Sequence, residues 1–190
     1  MKLLFSTLIT FALIVNTERP ASVEPEASTI AHFVPATEAS FGYASPYYLD
    51  IDRDGKNDFV FQTVSVGLEG SVHTKYIIQA LQDHQVMDIA GSAAITEKGE
   101  NISMDMPRGN VRWSEAHGEI IESVYNGESL NWNGTWSGDR AQYLGVKLVK
   151  DGKSYLGWVR VELNPETEKA FVKEYAINRT PNANIASGDM

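Results

Sequence analysis

YLGVKLVKDGKSYLGWVRVEL, residues 143–163, decides the architecture. Two alternating runs of β-formers flank Asp151-Gly152, the dipeptide preferred in two-residue hairpin turns because its backbone twist matches that of paired strands. Such a turn fixes the register. Pairing Lys150 with Lys153 sets Leu148 opposite Tyr155, Val146 opposite Gly157 and Leu144 opposite Val159, so one face is almost wholly apolar and belongs in a core. The other face pairs Gly145 with Trp158 and Tyr143 with Arg160, and predicts a structural role for Trp158, its ring lying over the cross-strand glycine.

The same punctuation continues on either side. FVFQTVSV (59–66) and VHTKYIIQAL (72–81) read as a second hairpin joined by GLEGS, with Val72, Thr74, Tyr76, Ile78 and Ala80 on one face. HQVMDI (84–89) continues the meander, residues 90–110 read as a long loop, and KAFVKEYAI (169–177) as a final strand after an Asn164-Pro165-Glu166-Thr167 turn. No segment holds a helical period. The fold class expected is all-β, an antiparallel β-sandwich or jelly-roll in a single domain over residues 47–190. Four of the seven prolines lie between residues 20 and 46 among Ala, Ser, Thr and Glu, so 23–46 reads as a lead-in with one strand at most, TIAHFV at 29–34.

With 43% hydrophobic residues in 190, the chain can bury one real core. Twenty-five acidic against sixteen basic residues leave a formal charge of -9, which disfavours nucleic acid and anionic membrane surfaces as partners. There is no cysteine, so disulfides, thiolate metal sites and Cys nucleophiles are excluded. Lys2 followed by the charge-free stretch LLFSTLITFALIV (3–15) reads as an export signal, taken as residues 1–22; it is too short for the roughly 20 residues of a membrane span. The expected location is outside the cytoplasm.

The strongest chemical signal is DIDRDGKND, residues 50–58. Carboxylates at loop positions 1, 3, 5 and 9 (Asp50, Asp52, Asp54 and Asp58) are expected to converge on one hard cation, with Gly55 allowing the sharp turn and the Lys56 carbonyl facing inward at position 7. Oxygen donors alone favour Ca2+. Ile51 and Arg53 are expected to point away from the ion. Position 12 is Phe61, where an EF-hand needs a bidentate Glu, and no helical pattern flanks the loop.

The segment resembles the DxDxDGxxD calcium loops of FG-GAP and related secreted repeat proteins. The last third, YLGVKLVKDGKSYLGWVRVEL followed by FVKEYAINRTPNANIASG, resembles the carboxy-terminal half of a group of exported bacterial β-proteins of unassigned function. That resemblance implies a secreted β-sandwich with an Asp-rich calcium loop near its amino end, and brings no catalytic residues with it.

Two further constellations carry weaker chemistry. On a continuous strand, Glu115, His117 and Glu119 would share a face and offer two carboxylates for acid/base work on a sugar. In NGESLNWNGTWSGD (126–139), Trp132 and Trp136 stand among amides and hydroxyls, the composition of surfaces that stack on glycans. His32, His73 and His84 are isolated and read as surface or partly buried polar residues. The leading functional reading is a secreted, calcium-stabilised module for binding, adhesion or surface interaction, with a glycan or cell-surface component as partner. The alternatives are a secreted carbohydrate-active enzyme using Glu115 and Glu119, and a structural subunit that assembles through exposed strands. The export reading predicts that amino-terminal sequencing of protein from the native host finds a mature start between about residues 17 and 29. A cytoplasmic chain retaining Met1 is the contrary result.

Overall fold

The computed structural model describes residues 29–105, 109–134, 136 and 141–190; the expected export signal lies outside them. The protein is all-β. In chain order the strands are β1 (Ile30–Phe33), β2 (Ser40–Phe41), β3 (Tyr47–Leu49), β4 (Phe59–Leu68), β5 (Ser71–Ala80), β6 (Gln85–Ile89), β7 (Ser92–Ala93) and β8 (Ile95–Thr96). They continue with β9 (Asn101–Ile102), β10 (Val111–Ser114), β11 (His117–Tyr125), β12 (Leu130–Asn133), β13 (Gln142–Lys150), β14 (Lys153–Asn164), β15 (Lys169–Asn178) and β16 (Ile185–Ala186). No helix among the described residues is long and apolar enough to cross a membrane.

The β13–β14 hairpin has the register its turn demands. Lys150 faces Lys153, Leu148 faces Tyr155, Val146 faces Gly157 and Leu144 faces Val159. Asp151 and Gly152 have φ of 52° and 71°, both left-handed, as the turn requires. The β4–β5 hairpin is tighter than the sequence suggests: Leu68 pairs with Ser71, so the turn is the two residues Glu69-Gly70 and both strands run into the expected five-residue connection. The expected loop at 90–110 carries three short strands among its described residues, β7, β8 and β9. Strand β6 turns away from β5 to pair with β13, β7 and β10.

Among the described residues one long sheet runs β1-β15-β14-β13-β6-β7-β11-β5-β4-β3. It folds so that its two halves face each other as a sandwich. Phe59, Phe61, Tyr76 and Ile78 from β4 and β5 meet Leu144, Val146, Val159, Val161, Val172 and Ile177 from β13 to β15 in the main core. The sheet begins upstream of residue 47, within the expected lead-in. Strand β1 pairs with β15 (Ile30 opposite Asn178), and β2 places Phe41 5.3 Å from Phe61, ring to ring. The Tyr76 hydroxyl donates to the Glu168 carbonyl across the sandwich, and burial pushes its pKa up to about 12.

A second, smaller core covers the outer face of β13–β15. Trp158 is fully buried there, 5.3 Å from Tyr143 and 5.7 Å from His32. Strands β9 and β16 pair with each other and bring Ile102 and Ile185 over this face. The structure corrects one detail: the space over Gly145 is filled by Met87, whose Sδ would sit 2.0 Å from an added Cβ, rather than by the Trp158 ring. At Gly157 an added Cβ would stand 2.5 Å from the Ala176 carbonyl oxygen, and backbone cannot step aside as a flexible thioether can. Gly157→Ala is therefore expected to cost about 2 kcal/mol or more and to exceed Gly145→Ala, as read by urea unfolding. Equal costs would contradict the packing.

Candidate metal centre

Residues 50–58 form the connection between β3 and β4 at one end of the sandwich. The apolar residues anchor it: Ile51 is fully buried in the main core, and Phe59 starts β4 beneath it. With the odd side chains held inward or aside, the carboxylates turn onto the loop itself. Asp50 accepts the N–H groups of Asp54 (3.1 Å) and Gly55 (2.7 Å), Asp52 that of Asp54 (3.1 Å), and Asp54 that of Lys56 (3.0 Å). These are the local side-chain-to-backbone bonds that Asp favours in turns. Arg53 adopts a φ of 61° and Gly55 one of 90°, which closes the loop. As expected, Arg53 points away, its guanidinium 4.6 Å over the Phe33 ring.

Asp50, Asp52 and Asp58 each bring one carboxylate oxygen within 4.8 Å of the others, a group able to hold a metal ion. Asp54 stands apart from that trio. Its Oδ2 accepts from the Lys150 ammonium at 2.8 Å, which also donates to Asp52 Oδ2 at 2.7 Å. The bond from Lys150 is the first cause that holds the Asp54 carboxyl below the usual range, and the two carboxylates together push the Lys150 pKa up. Lys150 reaches the loop because the Asp151-Gly152 turn ends β13 beside it. A cavity of about 310 Å³ opens there, lined by Asp52, Asp54, Asp58, Asp83, His84 and Lys150 among others. On the other flank of Asp52 and Lys150, a second of the same volume is bounded by Leu148, Tyr155, Ile177 and Arg179.

Asp58 differs from the other three, being 3% exposed. Its Oδ2 accepts the Ile51 N–H at 2.8 Å, and its Oδ1 lies 3.1 Å from His84 Nε2. The Val149 N–H donates to His84 Nδ1 at 3.1 Å, so the ring proton sits on Nε2 and is given to Asp58. In the sequence His84 stands as an isolated polar residue, and Lys150 is marked only by its place in the β13–β14 register. Both reach the loop through long-range pairing, and no local spacing announces either.

The other expected sites do not assemble. Residues 113–119 are not one strand: β10 ends at Ser114, Glu115 and Ala116 turn, and β11 starts at His117. Glu115 accepts from the Gln85 amide at 3.2 Å, whereas Glu119 pairs with Lys75 at 2.7 Å, so the two carboxylates serve different partners on different strands. Trp132 is half-buried on β12, its ring 5.4 Å from Tyr76. Trp136 is 3% exposed within the main core, which leaves no open ring face for a sugar. No protein-family model, curated protein or solved structure matches the chain.

An asparagine at 58 keeps one acceptor oxygen and puts an NH2 group, which only donates, in place of the other, so it cannot accept from both the Ile51 and His84 N–H groups. Asp58→Asn is therefore expected to destabilise the fold by about 1–3 kcal/mol in the presence of a chelator. Asp52→Asn, whose partner Lys150 is 42% exposed, should cost about 1 kcal/mol or less under the same conditions. Denaturant midpoints separate the two, and equal losses would deny Asp58 its buried structural role.

Proposed function

We propose that the chain is a secreted β-sandwich binding module in which the Asp50–Asp58 loop holds a calcium ion for stability rather than catalysis. The observation that carries the reading is the convergence of Asp50, Asp52 and Asp58 on one small volume. An oxygen-only donor set with no histidine or sulfur in the trio suits a hard cation, and the loop spacing adds Asp54 and the Lys56 carbonyl to the candidate donors. The ion's contribution is charge neutralisation and cross-linking of the loop; the chain's own residues fix where it sits. Lys150 already supplies one positive charge to Asp52 and Asp54, so binding exchanges an ammonium for a divalent ion at those two carboxylates. The partner in this reading is a glycan or another polyhydroxylated cell-surface component. The cleft between Tyr155 and Arg179, beside the loop, offers it an aromatic body with polar neighbours, and the half-buried Trp132 offers a second aromatic surface.

Thermal unfolding with calcium against chelator tests the metal. Extracellular calcium modules have dissociation constants near 0.1 to 1 mM, so about 1 mM calcium should add about 0.4–1.4 kcal/mol. Asp52→Ala should abolish that increment. Arg53→Ala, which loses the stack on Phe33, should lower the baseline but keep the increment, and Lys150→Met should enlarge it. No calcium-dependent shift at millimolar metal, or an increment that survives Asp52→Ala, overturns the reading. A glycan-array screen with and without calcium, repeated on Tyr155→Ala and Trp132→Ala, tests the partner.

A further inference from the structure

Strand β3 covers the outer edge of β4 only from Phe59 to Phe61. From Gln62 to Leu68 no strand among the described residues pairs with that edge, although β5 pairs with the opposite one along its whole length. In a two-residue hairpin the residues flanking the turn form a hydrogen-bonded pair, so Leu68, Val66 and Val64 spend their backbone groups on β5, while Gly67, Ser65 and Thr63 direct theirs outward. The apolar side chains on this stretch are solvent-facing: Val64 is 45% exposed, Val66 55% and Leu68 55%. Edges of this kind are ordinarily blunted by Pro, Lys, a bulge or a covering segment. Between Phe59 and Leu68 there is no Pro, no charged residue and no register shift.

We propose that the free edge of β4 over Val64–Leu68 pairs antiparallel with the same edge of a second copy, Val66 lying on the two-fold axis. The pattern is self-complementary about that residue. Val64 then faces Leu68 of the second copy, Val66 faces Val66, and Leu68 faces Val64, an apolar ladder on one face of a continuous sheet. Ser65 and Gly67 exchange about four backbone hydrogen bonds with Gly67 and Ser65 of the second copy, using the groups that point outward.

Charge favours the same occupant. In a chain of net charge -9 this edge is an uncharged strip where two copies can meet without acidic side chains opposed. The nearest charged residues across the seam are Glu69 of one copy and Lys75 of the other, about two strand spacings or 10 Å apart between their Cα atoms; Lys75 is paired with Glu119 of its own copy at 2.7 Å, so the seam sets no unpaired like charges against each other. Five residues per copy bury less than the roughly 800 Å² per partner of a standard complex, so association is weak, with a dissociation constant on the order of 0.1 mM. It does not depend on the metal loop, and chelator should leave it unchanged.

Sedimentation across tenfold either side of that concentration should show monomer passing to dimer, with and without chelator. Val66→Lys, a surface substitution, should remain monomeric with its melting temperature nearly unchanged, and mixing it with Val66→Glu should restore association. Because the chain has no native cysteine, Val66→Cys gives a geometric check. Its two Cα atoms would lie about 4.5 Å apart, within disulfide range, so mild oxidation should link it much faster than Val64→Cys, which faces Leu68. A wild-type protein that stays monomeric overturns the proposal and leaves the edge to a strand from another protein. Undiminished dimer in Val66→Lys, or equal linking of the two cysteine variants, overturns it as well.

Discussion

The carboxylate of Asp58 holds together parts of the fold that the sheet alone does not. One oxygen fixes the Asp-rich loop through the Ile51 N–H, and the other takes the His84 proton, while the far side of that ring receives the Val149 N–H. The start of β4, the residue leading into β6 and the end of β13 are thereby tied in one buried chain of hydrogen bonds. Each group is costly to leave unpaired away from water, so the chain acts as a unit. Ile51 can sit fully buried, and the remaining carboxylates can gather above it, because this tie sets the loop's height over the core.

Above the tie the electrostatics are of a different kind. Asp50, Asp52 and Asp54 are at or near the surface, and their mutual repulsion is relieved by loop N–H groups and by the Lys150 ammonium. A cation on a flexible stem is an exchangeable counter-charge, whereas Asp58 and His84 are not exchangeable. The loop thus joins a fixed buried foundation to a rim whose charge balance can change hands.

How far the sequence could be read follows from how local each determinant is. The β13–β14 register was legible residue by residue because Asp151-Gly152 between alternating runs leaves one good solution. GLEGS has the composition of a five-residue connection, yet Gly67 extends the strand while Glu69, a non-glycine, accepts a left-handed φ of 50°. The Asp spacing and the outward Arg53 were legible within ten residues. Lys150 and His84 were not, since what brings them to the loop is the pairing of β13 and the path of β6. The break at Glu115 and Ala116 is not legible because polar alternation looks alike in a strand and across a tight turn, and this break is what separates Glu115 from Glu119. Met87 over Gly145 likewise depends on a neighbour that only tertiary pairing supplies.

The pairing of β1 with β15 has a kinetic side. Ile30 meets Asn178 and Phe33 meets Tyr175, so the first described strand finds its place only once β15, nearly 150 residues further on, is available. The β9–β16 pair, which closes the outer core over Trp158, makes the same demand, with Ile102 waiting for Ile185. Hairpins such as β4–β5 and β13–β14 form from neighbours in sequence, but sealing both cores waits on contacts of long loop closure, the slow class of folding event. A nascent chain still lacking its last strands has hairpins without a finished sandwich. In order of synthesis, closure of the two cores therefore waits for β15 and β16.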